Sequence, residues 1–309
     1  MQTEKLEKEI NAISVAGLSK NYDGLLAVDN ASFQVPLGTI CGFVGPNGSG
    51  KTTTIRMLLG LIEESAGTGE ILGQPIGHPE RYLSRVGAMI EGPAFYPALS
   101  GEENLRVLAT LGGCDQARVK DLLSLVGLSD RGGSKYKTYS LGMKQRLGIA
   151  AALLPDPKLL ILDEPTNGLD PAGIQEIRDL LSTLSKNGVT VFVSSHLLSE
   201  IEMISDYLVI LRKGKVIFFG KTEDLLLQSQ ARITAIPENP EDLKKLHQLV
   251  ESAGHRARID SKELHIQANP EWGSSLNKLA FENKILLREI TPVRATLEET
   301  FFELTEENQ

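Results

Sequence analysis

The run Gly45–Thr52, with the sequence GPNGSGKT, combines closely spaced glycines with a lysine and a hydroxyl residue. This run matches the pattern GxxxxGK[ST] in full, and it lies between a strand-like apolar run and a helix-like pattern. Its glycines let the backbone curl so that N–H groups converge on phosphate oxygens, and the start of the following helix adds its positive dipole. Lys51 would reach the β- and γ-phosphates of a nucleotide, and the Thr52 hydroxyl would ligate Mg²⁺. The run predicts a phosphate-binding loop, and a glycine-rich surface turn is the alternative.

Two adjacent carboxylates, Asp163 and Glu164, follow the apolar run Leu159–Leu162. A buried strand of this kind would deliver both carboxylates to its C-terminal edge, beside the phosphate-binding loop. We expect Asp163 to hold Mg²⁺ through water and Glu164 to orient and polarise an attacking water molecule. A solvated turn is the alternative, and the phosphate-binding loop in the same chain weighs against it.

Strands and helices must position these residues. Residues 11–44 have the apolar alternation of strands, and the run 39–44 would lead directly into the phosphate-binding loop. A helical pattern follows from Thr52, and its apolar face would carry Ile55, Leu58, Leu59 and Ile62.

Further along, leucine-spaced helices with glycine breaks predict a helical insert at about 98–155. A buried strand at 159–162, a helix after Pro171 and a strand at 189–193 then imply a parallel α/β core. A closing hairpin is expected at 208–219.

The character of the sequence changes after Lys221. Residues 222–230 could form a short helix, and a polar stretch with two prolines follows. Beyond it, a β-α-β-β-α-β rhythm predicts a small ferredoxin-like domain. Its strands would lie at 232–236, 256–259, 264–267 and 285–290, with helices near 241–253 and 271–283.

Composition restricts the class of protein. A chain of 309 residues suffices for about two domains. The net charge of -8 argues against a nucleic-acid binder, which would normally carry a basic face. The charged start MQTEKLEKEI lacks the apolar segment of a signal peptide, and no stretch approaches the roughly 18 apolar residues that span a bilayer. Cys41 and Cys114 have no metal-binding spacing, so we expect reduced cytosolic thiols.

Together with the segment 139–146, the two motifs above resemble those of the ATP-binding cassette (ABC) ATPases. Residues 139–146, YSLGMKQR, are similar to the family's LSGGQ signature and its KQR continuation. Ser140 and Gly142 match the signature. Ser140 would supply a hydroxyl donor, and Gly142 has no side chain to obstruct the approach of a γ-phosphate to the helix N-terminus. The signature letters that differ are at Tyr139, Leu141 and Met143.

Three shorter matches extend the resemblance, which covers residues from about 13 to 220 with every motif in the expected order. Residues 167–170, NGLD, resemble the D-loop. His196 resembles the switch histidine that contacts the γ-phosphate, and Tyr22 matches the aromatic residue that stacks on adenine.

The resemblance implies an α/β fold: a P-loop NTPase core of ABC-ATPase type, with an antiparallel β subdomain and a helical signature subdomain. We expect an N-terminal tail at 1–12 and a nucleotide-binding domain at 13–222, with its helical subdomain at about 97–155. A linker at 223–230 and a C-terminal accessory domain at 231–309 would follow.

The resemblance also implies ATP and Mg²⁺ as cofactors and two kinds of protein partner. ATP would be sandwiched between the phosphate-binding loop of one subunit and the signature of another, so a head-to-tail homodimer is the simplest arrangement. A separate transmembrane permease would complete the transporter at the cytoplasmic face of a bacterial-type membrane, and no nucleic acid is expected. The residues expected to bind the nucleotide are Tyr22, Gly45, Pro46, Asn47, Gly48, Ser49, Gly50, Lys51, Thr52, Thr53, Glu91, Ser140, Gly142 and Asp170. The expected catalytic residues are Lys51, Glu164 and His196, and the expected metal ligands are Thr52, Asp163 and Glu91.

Within the family, the chain is similar to the bacitracin- and lantibiotic-immunity exporters. The similarity lies in YSLGMKQRL, in EPTNGLDP at 164–171, in Glu91 where most members have glutamine, and in the C-terminal run TLEETF at 296–301. We therefore expect an ATPase that powers export of an antibiotic, a peptide or another amphiphilic compound. The alternatives are export of polysaccharide, lipid or an ion, and a soluble ABC-type ATPase that acts on ribosomes or DNA. The single compact motif set weighs against the soluble ATPase.

Overall fold

The computed structural model describes residues 11–92, 94–228, 232–293 and 297–298. The chain divides into two compact units, one that ends at Thr222 and one that begins at Glu223. Residues 1–10 of the expected N-terminal tail lie outside the described residues, whereas Asn11 and Ala12 belong to the first strand. None of the described helices has the length and apolar character needed to cross a membrane.

The described strands of the first unit form two sheets. β2, β1, β4 and β5 pair in that order as an antiparallel sheet, and the others form a six-stranded sheet in the order β10-β9-β3-β8-β7-β6. The antiparallel β subdomain implied by the resemblance is therefore present. In chain order, the strands are β1 (Asn11–Tyr22), β2 (Leu25–Pro36), β3 (Ile40–Val44), β4 (Ala66–Ile71), β5 (Gln74–Pro75), β6 (Val86–Met89), β7 (Leu159–Leu162), β8 (Thr190–Ser195), β9 (Tyr207–Arg212) and β10 (Lys215–Lys221).

The six-stranded sheet brings the predicted functional segments to one edge. Strands β9, β3, β8, β7 and β6 are parallel to their neighbours, and the edge strand β10 is antiparallel to β9. β3, β7 and β8 are buried along their whole length, which explains their continuous apolar sequences. Because parallel strands end at the same edge, the segments that follow these three strands lie together there.

One apolar core joins the two sheets. Phe33 of β2 packs against Phe43 of β3 and Phe192 of β8, with ring centroids 5.8 and 6.0 Å apart. Stacked and tilted aromatic pairs at such distances are favourable beyond the area that they bury. The sheet that carries the functional edge is thus fixed to the antiparallel sheet.

Helices complete the first unit. Helices α2, α3 and α4 pack on one another and form the helical insert predicted at about 98–155. Ser100 caps α2 by accepting a hydrogen bond from the Glu103 backbone, and the Glu103 carboxylate accepts one from the Ser100 backbone. The helices are α1 (Lys51–Leu58), α2 (Gly101–Leu111), α3 (Arg118–Leu125), α4 (Leu141–Ala152), α5 (Pro171–Lys186) and α6 (Leu198–Glu202). The next helix, α7 (Thr222–Gln228), begins at the last residue of this unit and otherwise belongs to the second.

Two parts of this unit differ from the sequence-based expectation. Helix α1 ends at Leu58, so Ile62, which was expected on its apolar face, packs against the core from a bend beyond it. The chain turns at Gly60, which adopts a φ of +66° that L side chains rarely adopt. Strands β4, β5 and β6 are absent from the prediction, and β4 (AGTGEI) has two glycines and little apolar alternation.

The second unit has its own core. Its strands pair antiparallel in the order β12-β13-β11-β14, and two of its helices, 243–252 and 273–282, pack with them around Ile233, Leu246 and Ile266. Residues 223–230, expected as a linker, continue α7 as far as Gln228, and 229–231, 294–296 and 299–309 lie outside the described residues. In chain order, the elements are β11 (Arg232–Pro237), α8 (Leu243–Ser252), β12 (Ala257–Asp260), β13 (Glu263–Gln267), α9 (Gly273–Glu282) and β14 (Leu287–Val293).

Candidate nucleotide-binding site

Glycines shape the loop between β3 and α1. A side chain at Gly45 would come within 2.3 Å of the Leu211 carbonyl oxygen. Gly50, at the N-cap of α1, has a φ of +107°, and a side chain there would come within 2.5 Å of the Ala27 carbonyl oxygen. Only glycine allows both this backbone path and this close packing. The start of α1 at Lys51 then directs its unpaired N–H groups at the loop.

Lys51 lies inside this loop and is almost completely buried. Its ammonium group donates to the Gly45 carbonyl oxygen at 2.6 Å and lies 3.2 Å from Glu164 Oε1. An ammonium group is a compact positive charge suited to phosphate oxygens. Lys51 therefore links the loop after β3 to the carboxylate after β7.

The Glu164 carboxylate joins the residues predicted to be catalytic. Its Oε1 faces Lys51, and its Oε2 lies 2.7 Å from His196 Nδ1. The Glu164 backbone has a φ of +50°, in the left-handed region that a residue with a side chain adopts at an energetic cost. The structure thus brings Lys51, Glu164 and His196 into direct contact.

Asp163, one residue earlier, faces the start of α1. Its Oδ2 accepts a hydrogen bond from the Thr52 hydroxyl at 2.8 Å, and its Oδ1 accepts one from the Ser194 hydroxyl at 2.5 Å. The Asp163 side chain is buried, and these two hydrogen bonds offset the loss of water around its charge.

The oxygens of Thr52 and Asp163 fit a magnesium ion. Mg²⁺ prefers oxygen ligands, and it is usually held by one or two carboxylates together with phosphate oxygens instead of an all-protein cage. The pair therefore suits a metal that binds together with a nucleotide.

A cavity of about 280 Å³ opens over these residues. The buried Ser49 Oγ has no hydrogen-bond partner among the described atoms, which leaves its hydroxyl free for a phosphate oxygen. Gly45, Pro46 and Thr53 were also predicted to bind the nucleotide, but they are not among the lining residues. Gly45 and Pro46 belong to the loop, and Thr53 lies in the first turn of α1. The lining consists of Asn47, Gly48, Ser49, Gly50, Lys51, Thr52, Glu164, Asn167 and His196.

The predicted signature residues line a second cavity, of about 500 Å³. Ser140 caps α4 by accepting from the Met143 N–H at 3.3 Å, and Asp170 caps α5 by accepting from the Gly173 N–H at 3.0 Å. Gly142 lies in the first turn of α4 and lines the same cavity. No residue lines both cavities. Ser140 and Gly142 therefore line a different cavity from the one around Lys51.

Glu91 and Tyr22 do not line the first cavity either. The Glu91 carboxylate, just after β6, pairs with the Arg56 guanidinium of α1 and is 65% exposed. Tyr22, at the end of β1, is 42% exposed, and Lys20 Nζ lies 5.2 Å from the centre of its ring. Their assignment to the nucleotide and the metal stays a prediction.

Comparison with known proteins decides the family. A family model described as ABC transporter matches residues 28–167. YhcH, an uncharacterised ABC transporter ATP-binding protein of Bacillus subtilis strain 168, is 40% identical over 304 residues, which cover 96% of this chain and 97% of YhcH. This chain belongs to the ABC transporter ATP-binding proteins.

Two further relatives of this ABC protein have named cargoes. The bacitracin transport ATP-binding protein BcrA of Bacillus licheniformis is 38% identical, over 94% of this chain and 96% of BcrA. The lantibiotic transport ATP-binding protein SrtF of Streptococcus pyogenes is 40% identical, over 66% of this chain and 89% of SrtF. The resemblance to the bacitracin and lantibiotic branch is confirmed.

Solved structures confirm the fold of the nucleotide-binding region. The ATP-binding subunit of an ABC transporter is 33% identical, with a TM-score of 0.63 over 70% of this chain and 92% of that chain. The cassette MJ0796, in a dimeric post-hydrolysis state bound to ADP and phosphate, is 23% identical and shares the fold, with a TM-score of 0.60 over 68% of this chain and 98% of that chain. As a member of this family, the chain is an ATPase that binds and hydrolyses ATP.

Ser194 and Arg56 of this ABC ATPase contact residues that were predicted to belong to the site, but they are themselves absent from the prediction. Ser194 contacts Asp163, and Arg56 pairs with Glu91. One feature of the sequence could have indicated Ser194: it is a hydroxyl residue near the C-terminal end of an apolar strand. Asp163 has a similar position, directly after the apolar strand β7. No sequence signal marks Arg56, because its partner lies 35 positions away along the chain.

Proposed function

We propose that two copies of this ABC ATPase bind ATP head to tail, so that the phosphate-binding loop of one copy faces the signature of the other. The proposal is supported by Ser140 and Gly142, which within one chain line a different cavity from the one around Lys51. The N-terminus of α4, with its positive dipole end and the Ser140 hydroxyl, suits the γ-phosphate of an ATP held by the other copy. A two-fold axis then makes two equal sites.

The contacts of Glu164 give the hydrolytic step a physical basis. Its carboxylate would accept a hydrogen bond from a water molecule and orient the water oxygen towards the γ-phosphorus, while His196 holds the carboxylate. A bond would form from that oxygen to phosphorus as the bond from phosphorus to the β,γ-bridging oxygen breaks, and the water proton would pass to Glu164 and then to the released phosphate, which gives ADP and phosphate. Lys51 would hold the β- and γ-phosphates. A magnesium ion at Thr52 and Asp163 would add positive charge there.

Replacement of Lys51 tests the phosphate-binding loop. Lys51→Ala should abolish ATP turnover and strongly weaken ATP binding, because it removes the ammonium group whose positive charge would attract the phosphates. Lys215→Ala is the matched control, since Lys215 also contacts a carboxylate, that of Asp29 at 3.2 Å, and lines neither cavity. Near-normal ATPase activity of Lys51→Ala would contradict the assignment.

We further propose that the chain works with a separate transmembrane permease at the cytoplasmic face of a bacterial membrane. Its cargo would be an antibiotic, a peptide or another amphiphilic compound. The similarity to BcrA and SrtF over most of the chain supports this choice over export of polysaccharide, lipid or an ion. A soluble ATPase with a non-transport role is the second candidate class.

Co-purification tests the transport proposal. The chain should bind the product of a neighbouring gene that encodes about six apolar spans. In the reconstituted complex, peptide antibiotics should stimulate ATPase activity more than a polysaccharide or lipid precursor does. Absence of a stable complex, or stimulation by the precursors alone, would contradict the proposal.

A further inference from the structure

Strand β8 lies between the strand that precedes the phosphate-binding loop and the strand that precedes the two carboxylates. In register, Phe43 of β3 is opposite Ser194, and Leu162 of β7 is opposite Val193. The residues that follow Leu162 and Val193 are Asp163, just beyond the end of β7, and Ser194 of β8. This register places a buried hydroxyl beside the predicted metal ligand.

The hydroxyl of Ser194 makes two hydrogen bonds whose directions are fixed. The Glu164 backbone N–H can only donate, so Ser194 Oγ accepts from it at 2.9 Å. The Asp163 carboxylate accepts, so the single hydroxyl hydrogen of Ser194 goes to Asp163 Oδ1 at 2.5 Å. Ser194 is 0% exposed, so water does not compete for either bond.

These bonds constrain both carboxylates at once. With Thr52 on Oδ2 and Ser194 on Oδ1, the Asp163 carboxylate is held at both of its oxygens. The bond to the Glu164 N–H supports a backbone with a φ of +50°, a conformation that persists only when its surroundings enforce it. That conformation accompanies the contact of the Glu164 side chain with Lys51 and His196.

We propose that Ser194 is a positioning residue that couples the metal ligand to the water-activating residue. Its hydroxyl would orient Asp163 towards Mg²⁺ and hold the Glu164 backbone so that the Glu164 carboxylate meets the attacking water. This inference rests on the roles of Asp163 and Glu164 in the proposed function.

Strand β8 also supplies a matched control. Thr190, at the start of the strand, is likewise 0% exposed, and its hydroxyl accepts from the Gly38 N–H at 2.9 Å. It contacts neither carboxylate. Thr190→Val therefore removes a buried hydroxyl and its hydrogen bond from the same strand while leaving the site untouched.

Ser194→Ala tests the inference through magnesium dependence as well as turnover. The affinity for ATP should fall roughly tenfold in the presence of Mg²⁺ and stay unchanged in EDTA, because Asp163 acts through the metal. Turnover at saturating Mg²⁺·ATP should fall roughly 10- to 100-fold. Calorimetry with and without Mg²⁺, steady-state kinetics and thermal melting are compared with the parent chain and Thr190→Val. Ser194→Thr keeps a hydroxyl and should restore most of the magnesium dependence.

Two results would overturn the inference. One is parental magnesium dependence and turnover in Ser194→Ala; the other is an equal loss of ATP affinity with and without Mg²⁺, which would mark a purely structural role. A Glu164→Gln chain measured alongside distinguishes a failure of the proposed function from a failure of the role of Ser194. If Glu164→Gln keeps normal turnover, the proposed function fails; if Glu164→Gln is inactive while Ser194→Ala behaves as the parent, only the role of Ser194 fails.

Discussion

Glu164 illustrates how the chemistry of one residue depends on contacts from three strands. Its side chain meets Lys51 after β3 and His196 after β8, and its backbone bonds to Ser194 of β8. Its own strand, β7, delivers it to this point in a left-handed conformation. A substitution that changes any of these contacts should therefore affect the position of the carboxylate.

At position 91, where the resemblance to the family leads us to expect a glutamine, the chain has a glutamate. Glu91→Gln keeps the shape of the side chain but removes the charge that pairs with Arg56 and would respond to Mg²⁺·ATP. We expect near-normal ATP binding and less transport per ATP hydrolysed, measured as the ratio of the two rates in reconstituted vesicles. Glu102→Gln is the control, because Glu102 also pairs with an arginine, at 2.8 Å on α2. A parental transport ratio in Glu91→Gln, at an equal ATPase rate, would argue against a coupling role.

For single residues, the sequence predicts the sites that are formed by consecutive positions of the chain. The phosphate-binding loop and the Asp163–Glu164 pair are visible because each needs a fixed local pattern of glycines, charge or apolar residues. Ser194 and Arg56 act through partners brought close by sheet order and by the packing of α1. Local spacing carries no such information.

The order of the strands in the six-stranded sheet brings the residues of the site together. Each of β3, β7 and β8 is predictable as an apolar run, but the placement of β8 between the other two is a property of the fold. The glycine-containing strand β4 shows the other limit, since it pairs with β1 without a strand-like apolar pattern. Tertiary pairing decides such segments.

Thiol reactivity should report the burial of β3. Burial, together with the negative charge of Asp206, raises the pKa of the Cys41 thiol well above its usual range, whereas Cys114 is partly exposed in the turn after α2. Because the thiolate is the reactive form, an alkylating reagent at neutral pH should modify Cys114 and spare Cys41 until denaturant is added. Mass spectrometry of the labelled peptides gives the site of reaction.

The matching control is Cys114→Ser, which should incorporate no label while folded. Labelling of Cys41 in the native chain at a rate comparable to that of Cys114 would show that β3 is accessible to solvent and contradict its burial.

At the scale of the whole molecule, we propose that the second unit helps to pair two subunits or docks a partner. It has its own buried core, centred on residues such as Ile233 and Leu246. Truncation after Gln228 should therefore leave ATP affinity intact and reduce dimer formation or regulation. Nucleotide titration and sedimentation of the truncated and full chains give the two quantities. A loss of ATP affinity on truncation would place this segment in the core fold instead.

Glu164→Gln tests whether two copies share each ATP. The amide keeps Mg²⁺·ATP binding but should lower hydrolysis by roughly two to four orders of magnitude, so that ATP traps the closed dimer. Size-exclusion chromatography with light scattering should show monomer without ATP and dimer with it. Adding Ser140→Arg to the same chain should abolish the dimer while ATP still binds. A Glu164→Gln chain that stays monomeric with ATP, or that hydrolyses ATP at the parental rate, would contradict the sharing of ATP between two copies.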